Sequence, residues 1–312
     1  MSGLQGTIRT ISAGGYSAEI AEVGASLVSL RGFRGHLVRR TPPEGLRPGC
    51  NGAILAPWPN RLRDGRYEFD GETHQLPLTE PERGNAAHGL VLWERWDVVA
   101  HHPHELVMSL DLVPQPGYPF SLGLEVVYSL SASGLECRVT TTNTGGRPAP
   151  YAVAGHPYLV ADGSEGSTSD AIGDWTLTVP ASSYVETDPE RLLPRGVHPV
   201  EGTAYDFRAG RRLGREPYDV ALGDPERSPD ERFACSLSTA TGDGVLLECD
   251  AEASWIQVYT DDQAPGEAGR RAVAVEPMTA PADSFRSGRD LVTLESGQRH
   301  SVAWRIRDLR TK

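Results

Sequence analysis

The sequence predicts an all-β protein built as one large antiparallel β-sandwich. Period-two alternation of apolar and polar residues recurs from one end of the chain to the other, which is the pattern of half-buried strands. Of the 312 residues, 34 are glycine and 24 are proline, so turns are frequent and strands are short. No apolar run with helical period exceeds about a dozen residues, which disfavours alternating strand and helix units.

The alternation is clearest in two segments near the middle and the end of the chain. Leu135, Cys137 and Val139 fall on one face of a predicted strand, with polar residues between them. In the last predicted strand, Val302 and Ile306 share a face in the same way. Further strands are predicted at residues 106–113, 122–130, 175–179, 245–249, 255–260 and 272–276.

The polar stretches between these strands predict loops rather than domain boundaries. They cover residues 162–170, 224–231 and 261–271, and none of them separates segments of different composition. Sandwiches of this length often form one domain. We therefore expect a single domain over residues 1–312.

Charge and cysteine usage exclude several function classes. The net charge of -12 repels nucleic-acid backbones and anionic lipid, so neither is an expected partner. The sequence shows neither an apolar window long enough for a spanning helix nor a signal peptide, so we expect a cytoplasmic protein. The four cysteines form no CxxC pair. The HHPH segment at 101–104 is interpreted as a solvated loop, because no further ligand lies nearby in sequence, and we expect no metal.

Residues 57 to 61 read PWPNR, where two prolines stiffen the approach to Asn60 and Arg61. A rigid loop is a good platform for polar groups aimed at a ligand. Arg61 and Arg63 are candidate functional residues, with pairing to surface carboxylates as the alternative. His88 lies in NAAHGL, where small neighbours leave space beside its ring. It is either a structural histidine or a hydrogen-bonding partner of a ligand hydroxyl.

His156 and Glu276 share a local design. Each follows an apolar stretch containing alanines, and each immediately precedes a proline. Because proline disfavours helical conformation in the residue before it, both residues are expected at the ends of extended strands. A carboxylate in such an apolar stretch is costly to desolvate without a partner, which favours a functional role for Glu276.

Four motifs are spread over most of the chain: PWPNR at 57–61, N-x-x-HG at 85–89, HPYL at 156–159 and VEP at 275–277. In this order they resemble the aldose 1-epimerase (galactose mutarotase) family, and most closely its bacterial branch that includes proteins assigned as sulfoquinovose mutarotases. The resemblance implies a galactose mutarotase-like supersandwich whose open concave face binds a free sugar. It implies no metal and no organic cofactor.

The resemblance also implies roles for individual residues. Glu276, as a carboxylate, is the implied general base that removes the proton of the anomeric hydroxyl. His156, as an imidazolium, is the implied general acid that protonates the ring oxygen. Arg61, His88 and the neighbouring Asn60 are the implied groups that hold the sugar.

The resemblance implies two further contacts with the sugar, and for each of them two candidate residues remain. The family uses an aspartate in a Tyr-Asp-His segment, which corresponds to Asp219 here although valine replaces the histidine; Asp206 is the nearby competitor. An aromatic residue of the SWIQVYT segment is expected to pack on the sugar. Trp255 and Tyr259 are the candidates, and Gln257 shares their face.

The implied activity is the interconversion of the α and β anomers of a free aldose such as glucose or galactose, by a monomer or homodimer. One alternative is a mutarotase for an anionic sugar, sulfoquinovose or a hexose 6-phosphate, with Arg63 or Arg66 as the charge contact. Others are a non-catalytic carbohydrate-binding protein and a glycoside hydrolase that uses Glu276 and Asp219.

Overall fold

The computed structural model describes residues 3–42, 45–165, 171–262 and 269–309. In these residues the backbone forms many short strands, one α-helix and three 3₁₀ helices. The strands are β1 (Ile8–Ala13), β2 (Tyr16–Ala21), β3 (Ser26–Gly32), β4 (Gly35–Val38), β5 (Ile54–Leu55), β6 (Arg61–Arg63), β7 (Arg66–Phe69), β8 (Glu72–Gln75), β9 (Asn85–Ala87), β10 (Asp97–His102), β11 (Glu105–Leu112), β12 (Leu122–Ser131), β13 (Gly134–Asn143), β14 (Ala149–Tyr151), β15 (Ala154–Gly155), β16 (Tyr158–Gly163), β17 (Thr176–Thr178), β18 (Ala181–Thr187), β19 (Pro194–Pro199), β20 (Arg211–Arg212), β21 (Asp219–Pro225), β22 (Phe233–Ser238), β23 (Gly244–Cys249), β24 (Trp255–Tyr259), β25 (Val273–Met278), β26 (Val292–Leu294) and β27 (Arg299–Asp308). The helices are α1 (Ser284–Ser287) and the 3₁₀ helices Pro48–Cys50, Pro81–Arg83 and Ala171–Asp174.

Most strands belong to two large sheets. A 12-stranded sheet has the order β1-β2-β3-β4-β16-β25-β24-β21-β18-β19, and β15 and β5 join it beside β25. A 9-stranded sheet has the order β10-β11-β12-β13-β27-β23-β22-β17-β20. The pairs β6-β9, β7-β8 and β14-β26 form small two-stranded sheets. The sequence prediction of an all-β fold is confirmed.

The two large sheets pack face to face. Strand β16 of the first contacts β22 and β23 of the second, while β4 contacts β27 and β2 contacts β12 and β13. Burial alternates residue by residue along β12 and β13, which is the period-two pattern of the sequence. Apolar side chains from both sheets form the main core. This packing leaves the other face of the 12-stranded sheet free to carry polar groups.

The structure departs from the sequence expectations in β10 and at the start of β17. His101 and His102 lie in β10 rather than in a solvated loop, and His101 Nε2 is 2.9 Å from the carbonyl oxygen of Thr10. The strand predicted at 175–179 is shortened to β17, because a 3₁₀ helix ends at Asp174. Parts of two predicted loops, residues 166–170 and 263–268, lie outside the described residues.

Candidate active site

Strand pairing brings His156 and Glu276 together. Strand β25 pairs with β16 at Ala274 and with β15 at Met278. The same antiparallel register, continued between these two points, sets His156 opposite Glu276. The Nε2 atom of His156 lies 3.2 Å from the Oε1 atom of Glu276. Both side chains are buried, so two distant parts of the chain meet in one protected position.

The local backbone differs from the expectation that each residue ends a strand. His156 lies in a short break between β15 and β16, and Glu276 lies inside β25, which continues through Pro277. The backbone of His156 is nevertheless fixed, because its N–H donates to the carbonyl of Ala53 at 3.0 Å and its carbonyl accepts from the N–H of Gly52 at 2.8 Å. These bonds replace those of a continuous strand.

Neighbouring strands add further polar side chains to the same face. Glu276 pairs with Gln257 of β24, and Tyr259 of β24 pairs with Asp219 of β21. Directly paired residues share a face, and residues two apart on one strand do so as well. Glu276, Gln257, Tyr259 and Asp219 therefore form a contiguous patch on the 12-stranded sheet.

The small β6-β9 sheet positions three more residues, since Arg61 begins β6, Asn60 directly precedes it and His88 directly follows β9. Asn60 and His88 both have left-handed backbone conformations, with φ of 55° and 63°, and the His88 N–H donates to the Asn60 carbonyl at 2.9 Å. Non-glycine residues in this region carry strain of about 1–3 kcal/mol and are concentrated at functional sites. The Asn60 side chain accepts from the Arg61 N–H at 2.8 Å.

A chain of hydrogen bonds joins the small sheet to the large one. Asn60 Nδ2 donates to Gln257 Oε1 at 3.1 Å, and Gln257 Nε2 donates to Asp219 Oδ1 at 2.6 Å. Arg61 Nη1 lies 3.5 Å from Asp219 Oδ2. Its Nε donates to both carboxylate oxygens of Glu80, at 3.0 and 3.2 Å. The network holds these polar groups in fixed orientations.

These side chains surround one cavity. Its volume is about 140 Å³. The lining residues are Gly49, Cys50, Asn60, Arg61, His88, His156, Tyr158, Asp219, Gln257, Tyr259 and Glu276. The structure thus brings all eight residues predicted from the sequence to one cavity.

Burial controls the protonation of the central pair. Desolvation raises the pKa of Glu276 well above its ordinary value, Asp219 raises it further, and Arg61 opposes the shift. Desolvation lowers the pKa of His156 well below its ordinary value, and His88 adds to this effect. Both directions favour the neutral forms of the two side chains.

Other buried atoms at the cavity have no protein partner. Desolvation, followed by the charge of Arg61, lowers the pKa of His88 to about 4, so this imidazole is neutral at pH 7. Within the described residues, its Nδ1 atom and the Oε2 atom of Glu276 are buried without a hydrogen bond. Buried polar atoms are seldom left unpaired. These two atoms are suited to contact a bound polar molecule.

The geometry separates the alternatives left open by the sequence. Tyr259 lines the cavity, whereas the indole nitrogen of Trp255 donates to Asp290 at 2.7 Å beside a different cavity. Asp219 lines the cavity, whereas Asp206 bonds Arg208 at 2.8 and 2.9 Å in a turn.

The two arginines considered as charge contacts also lie elsewhere. Arg63 Nε is 3.6 Å from Asp283 Oδ2, and Arg66 is exposed on β7. Neither residue lines the cavity.

Sequence reasoning missed Glu80, Cys50 and Tyr158. Glu80 acts through Arg61, and only its position five residues before Asn85 of the N-x-x-HG motif points to it. The Asn85 side chain donates to Glu80 Oε2 at 3.0 Å. Tyr158 is the third residue of HPYL, and its ring stacks on the His156 imidazole with centroids 5.1 Å apart. No sequence signal marks Cys50.

A metal centre is not formed by the parts of the chain that the structure describes. These residues contain no group of three or more His, Cys, Asp or Glu side chains placed to hold an ion. They also contain no helix long and apolar enough to cross a membrane.

Comparison with known proteins identifies the family. A model of the family described as aldose 1-epimerase matches residues 7–307. The chain belongs to the aldose 1-epimerase family. Aldose 1-epimerases are isomerases that act on sugars, and the protein is an enzyme of this class.

Two relatives of this aldose 1-epimerase family member are informative. The uncharacterized protein YihR of Escherichia coli K12 is 31% identical over 299 residues, which cover 95% of this chain and 92% of YihR. Human galactose mutarotase is 28% identical over 237 residues, which cover 72% of this chain and 66% of the human protein.

Solved structures with low sequence identity to this chain also share its fold. The crystal structure of a GalM/aldose epimerase homologue from C. elegans superposes with a TM-score of 0.86 at 19% identity. The match covers 98% of this chain and 99% of that one. The protein therefore has the galactose mutarotase-like fold over its described length.

Proposed function

We propose that the protein interconverts the α and β anomers of a free, neutral aldose such as glucose or galactose, with His156 as general acid and Glu276 as general base. The observation that carries this proposal is the 3.2 Å contact between His156 Nε2 and Glu276 Oε1 in the cavity wall. An imidazole and a carboxyl group side by side can serve both oxygens of one hemiacetal, because a single carbon atom separates those oxygens.

The reaction moves two protons and changes no oxidation state. The Glu276 carboxylate takes the proton of the anomeric hydroxyl, the electrons of that O–H bond form the aldehyde C=O, and the C1–O5 bond breaks. The His156 imidazolium gives its proton to O5. After rotation about C1–C2, neutral His156 takes the O5 proton as O5 attacks C1, and protonated Glu276 returns a proton to the carbonyl oxygen. The enzyme is then ready for the next cycle.

The buried environment supports these roles. A lowered pKa makes protonated His156 a stronger acid, and a raised pKa makes the Glu276 carboxylate a stronger base. The neutral pair favoured by burial is the state that exists after ring opening. Because the two side chains touch, the proton can pass from Glu276 to His156 before another ring opens. Well-placed acid and base groups each contribute about 10²–10⁴-fold to the rate.

The remaining cavity residues are proposed to hold the sugar. Asn60, Arg61, His88, Asp219 and Gln257 offer donors and acceptors that match ring hydroxyls. Tyr259 offers an aromatic surface for the apolar C–H face of the ring. Their hydrogen-bond network is preformed, so little side-chain ordering is required when the sugar binds.

The charges of the cavity favour a neutral substrate. Among the lining residues that the structure describes, the guanidinium of Arg61 is the strong cation, and Glu80 and Asp219 already neutralise it. Arg63 and Arg66 lie away from the cavity. A phosphate or sulfonate placed there meets Asp219 without a free cation to balance it.

The named relatives support the aldose 1-epimerase class of this proposal. The family model is described as aldose 1-epimerase, and one relative is named galactose mutarotase. The relative called YihR carries no substrate in its name.

The test is a mutarotation panel followed by polarimetry and exchange NMR. It compares glucose, galactose, xylose, arabinose, glucose 6-phosphate and sulfoquinovose, and it includes an aryl glycoside as a control for hydrolysis. We expect at least one neutral aldose to exceed both anionic sugars in kcat/KM by about tenfold or more. A tenfold ratio corresponds to about 1.4 kcal/mol, which we assign to the unfavourable contact between the anionic group and Asp219. We expect no glycoside cleavage.

Each other outcome rejects a defined part of the proposal. A preference for an anionic sugar overturns the substrate class and keeps the mechanism. Sugar binding without any acceleration of mutarotation makes the protein a non-catalytic binder. Release of the aryl group makes it a hydrolase.

A further inference from the structure

Arg39 lies behind the active site, against Tyr158. Its guanidinium carbon is 3.9 Å from the centroid of the Tyr158 ring. The same ring stacks on His156 with centroids 5.1 Å apart and an interplanar angle of 20°. The guanidinium and the imidazole therefore both pack against the Tyr158 ring. The three side chains form a stack from Arg39 through Tyr158 to His156.

Hydrogen bonds hold both Arg39 and Tyr158 in place. Arg39 Nη1 donates to Asp261 Oδ2 at 2.6 Å, and the two side chains are only 11% and 8% exposed. The Tyr158 hydroxyl donates to the carbonyl of Gly49 at 3.1 Å. Gly49 itself lines the cavity, and a Cβ atom there would lie 2.6 Å from that hydroxyl. The stack therefore has little freedom to move.

Burying the charged Arg39 guanidinium costs free energy, and its partners satisfy only some of its hydrogen-bond donors. Its Nε and Nη2 atoms are buried without a hydrogen bond within the described residues. A buried ion pair is weak evidence for stability, since desolvation offsets its Coulomb attraction. The orientation of this charge towards the stack, rather than its contribution to stability, is the feature that requires an explanation.

We propose that Arg39 is a positioning residue of the mutarotase reaction, which holds the Tyr158 ring against His156 and sets the acidity of the imidazole through its charge. This inference rests on the proposed function of His156 as the general acid. Arg39 does not line the cavity, so it acts through Tyr158 and through space rather than on the sugar.

The surroundings of His156 determine how this charge acts. The titratable and charged groups around the imidazole are Glu276 on β25, Tyr158 on β16, His88 after β9, Arg39 after β4, and Arg47 and Cys50 before β5. Desolvation first, then His88, and then Arg39 and Arg47 lower the pKa of His156. Arg39 differs from Arg47 in having a carboxylate partner, Asp261, so its net effect can be changed in either direction by substitution.

The test uses four variants: Arg39→Met, Asp261→Asn, the double variant, and Arg39→Lys. The pH profiles of kcat and kcat/KM are measured from pH 4.5 to 9.5 by exchange NMR on the best neutral aldose. Arg39→Met removes a positive charge and leaves the site facing the negative charge of Asp261. Both limbs of the profile therefore move to higher pH, by about 0.5–1 unit. Asp261→Asn moves them to lower pH.

The other two variants separate charge from geometry. In the double variant both charges are absent, so the limbs of its pH profile lie close to those of the wild type. Arg39→Lys keeps the charge but not the planar stack, so its limbs stay in place while kcat falls by about tenfold through loss of orientation. Circular dichroism and thermal unfolding establish that each variant is folded.

A purely structural role predicts a different result. It lowers kcat in every variant and leaves the limbs unmoved, or moves them in one direction for both single variants, and either result overturns the inference. If Arg39→Met does not fold, Asp261→Asn alone decides, since only the proposal requires its limbs to move to lower pH. A wild-type protein that does not catalyse mutarotation refutes the proposed function instead.

Discussion

The substitution Glu276→Gln examines the proposed general base. Glutamine has nearly the shape of glutamic acid and matches its neutral form, which burial already favours at this position. It preserves a polar contact with His156 Nε2, which lies 3.2 Å from Glu276 Oε1 in the wild type, and it preserves the pairing of β25 with β24. The variant is therefore expected to fold and to bind sugar while losing the group that accepts the O1 proton.

The expected loss in kcat is about 10²–10⁴-fold, which is the usual contribution of one general base and corresponds to roughly 3–5 kcal/mol. The free energy of unfolding of the Glu276→Gln variant should not fall, although its kcat does. Because the pKa of Glu276 is raised by folding, its contribution to stability is complete below the unfolded-state pKa near 4.3 and is lost as pH rises towards the folded-state value. Above that window, the Glu276→Gln variant is at least as stable as the wild type.

The assay is exchange NMR of anomer interconversion, with sugar affinity measured by calorimetry. Glu125→Gln provides a matched control, since Glu125 lies on β12 of the 9-stranded sheet and does not line the cavity. We expect the control to retain wild-type kcat. A Glu276→Gln protein that binds sugar and keeps kcat within about threefold of the wild type refutes the reasoning.

Three further predictions follow from the cavity. Since the pKa of His88 is lowered to about 4, the free energy of unfolding falls by at most about 3 kcal/mol as pH drops from 6.5 towards 4; urea titrations should give a weaker pH dependence for His88→Gln, and equal slopes contradict this. Arg61→Met removes the cation that pairs with Asp219 and Glu80, so thermal unfolding should report a loss of about 3 kcal/mol, with no loss as the opposing result. Tyr259→Ala should raise KM about tenfold, whereas Trp255→Phe should leave KM unchanged; the reverse order in steady-state kinetics would show that Trp255 has the stacking role.

The strands of this fold can be predicted from the sequence because the alternation that marks each strand lies within that strand. The alternation through Leu135, Cys137 and Val139 matches the buried face of β13. Burial on one side of a sheet imposes period two on the residues themselves. Strand boundaries have a weaker signal, since β17 is shortened by an adjacent 3₁₀ helix that no strong sequence pattern marks.

The residues of the candidate site carry sequence signals, but their geometry does not. Apolar surroundings and a following proline mark His156 and Glu276 in the sequence, together with the family resemblance. Their contact depends on the register of β25 against β15 and β16, which is set by long-range pairing and leaves no mark within either motif. Glu80 and Arg39 contact residues of the cavity wall without lining the cavity themselves, and neither carries a local signal of function.

The most direct test of the central claim is a crystal structure of the Glu276→Gln variant with a bound aldose. We predict that the anomeric oxygen lies within about 3 Å of the residue 276 carboxamide and that the ring oxygen lies within about 3 Å of His156 Nε2, the usual hydrogen-bond range. A sugar bound in this cavity with both oxygens away from these two groups would contradict the account.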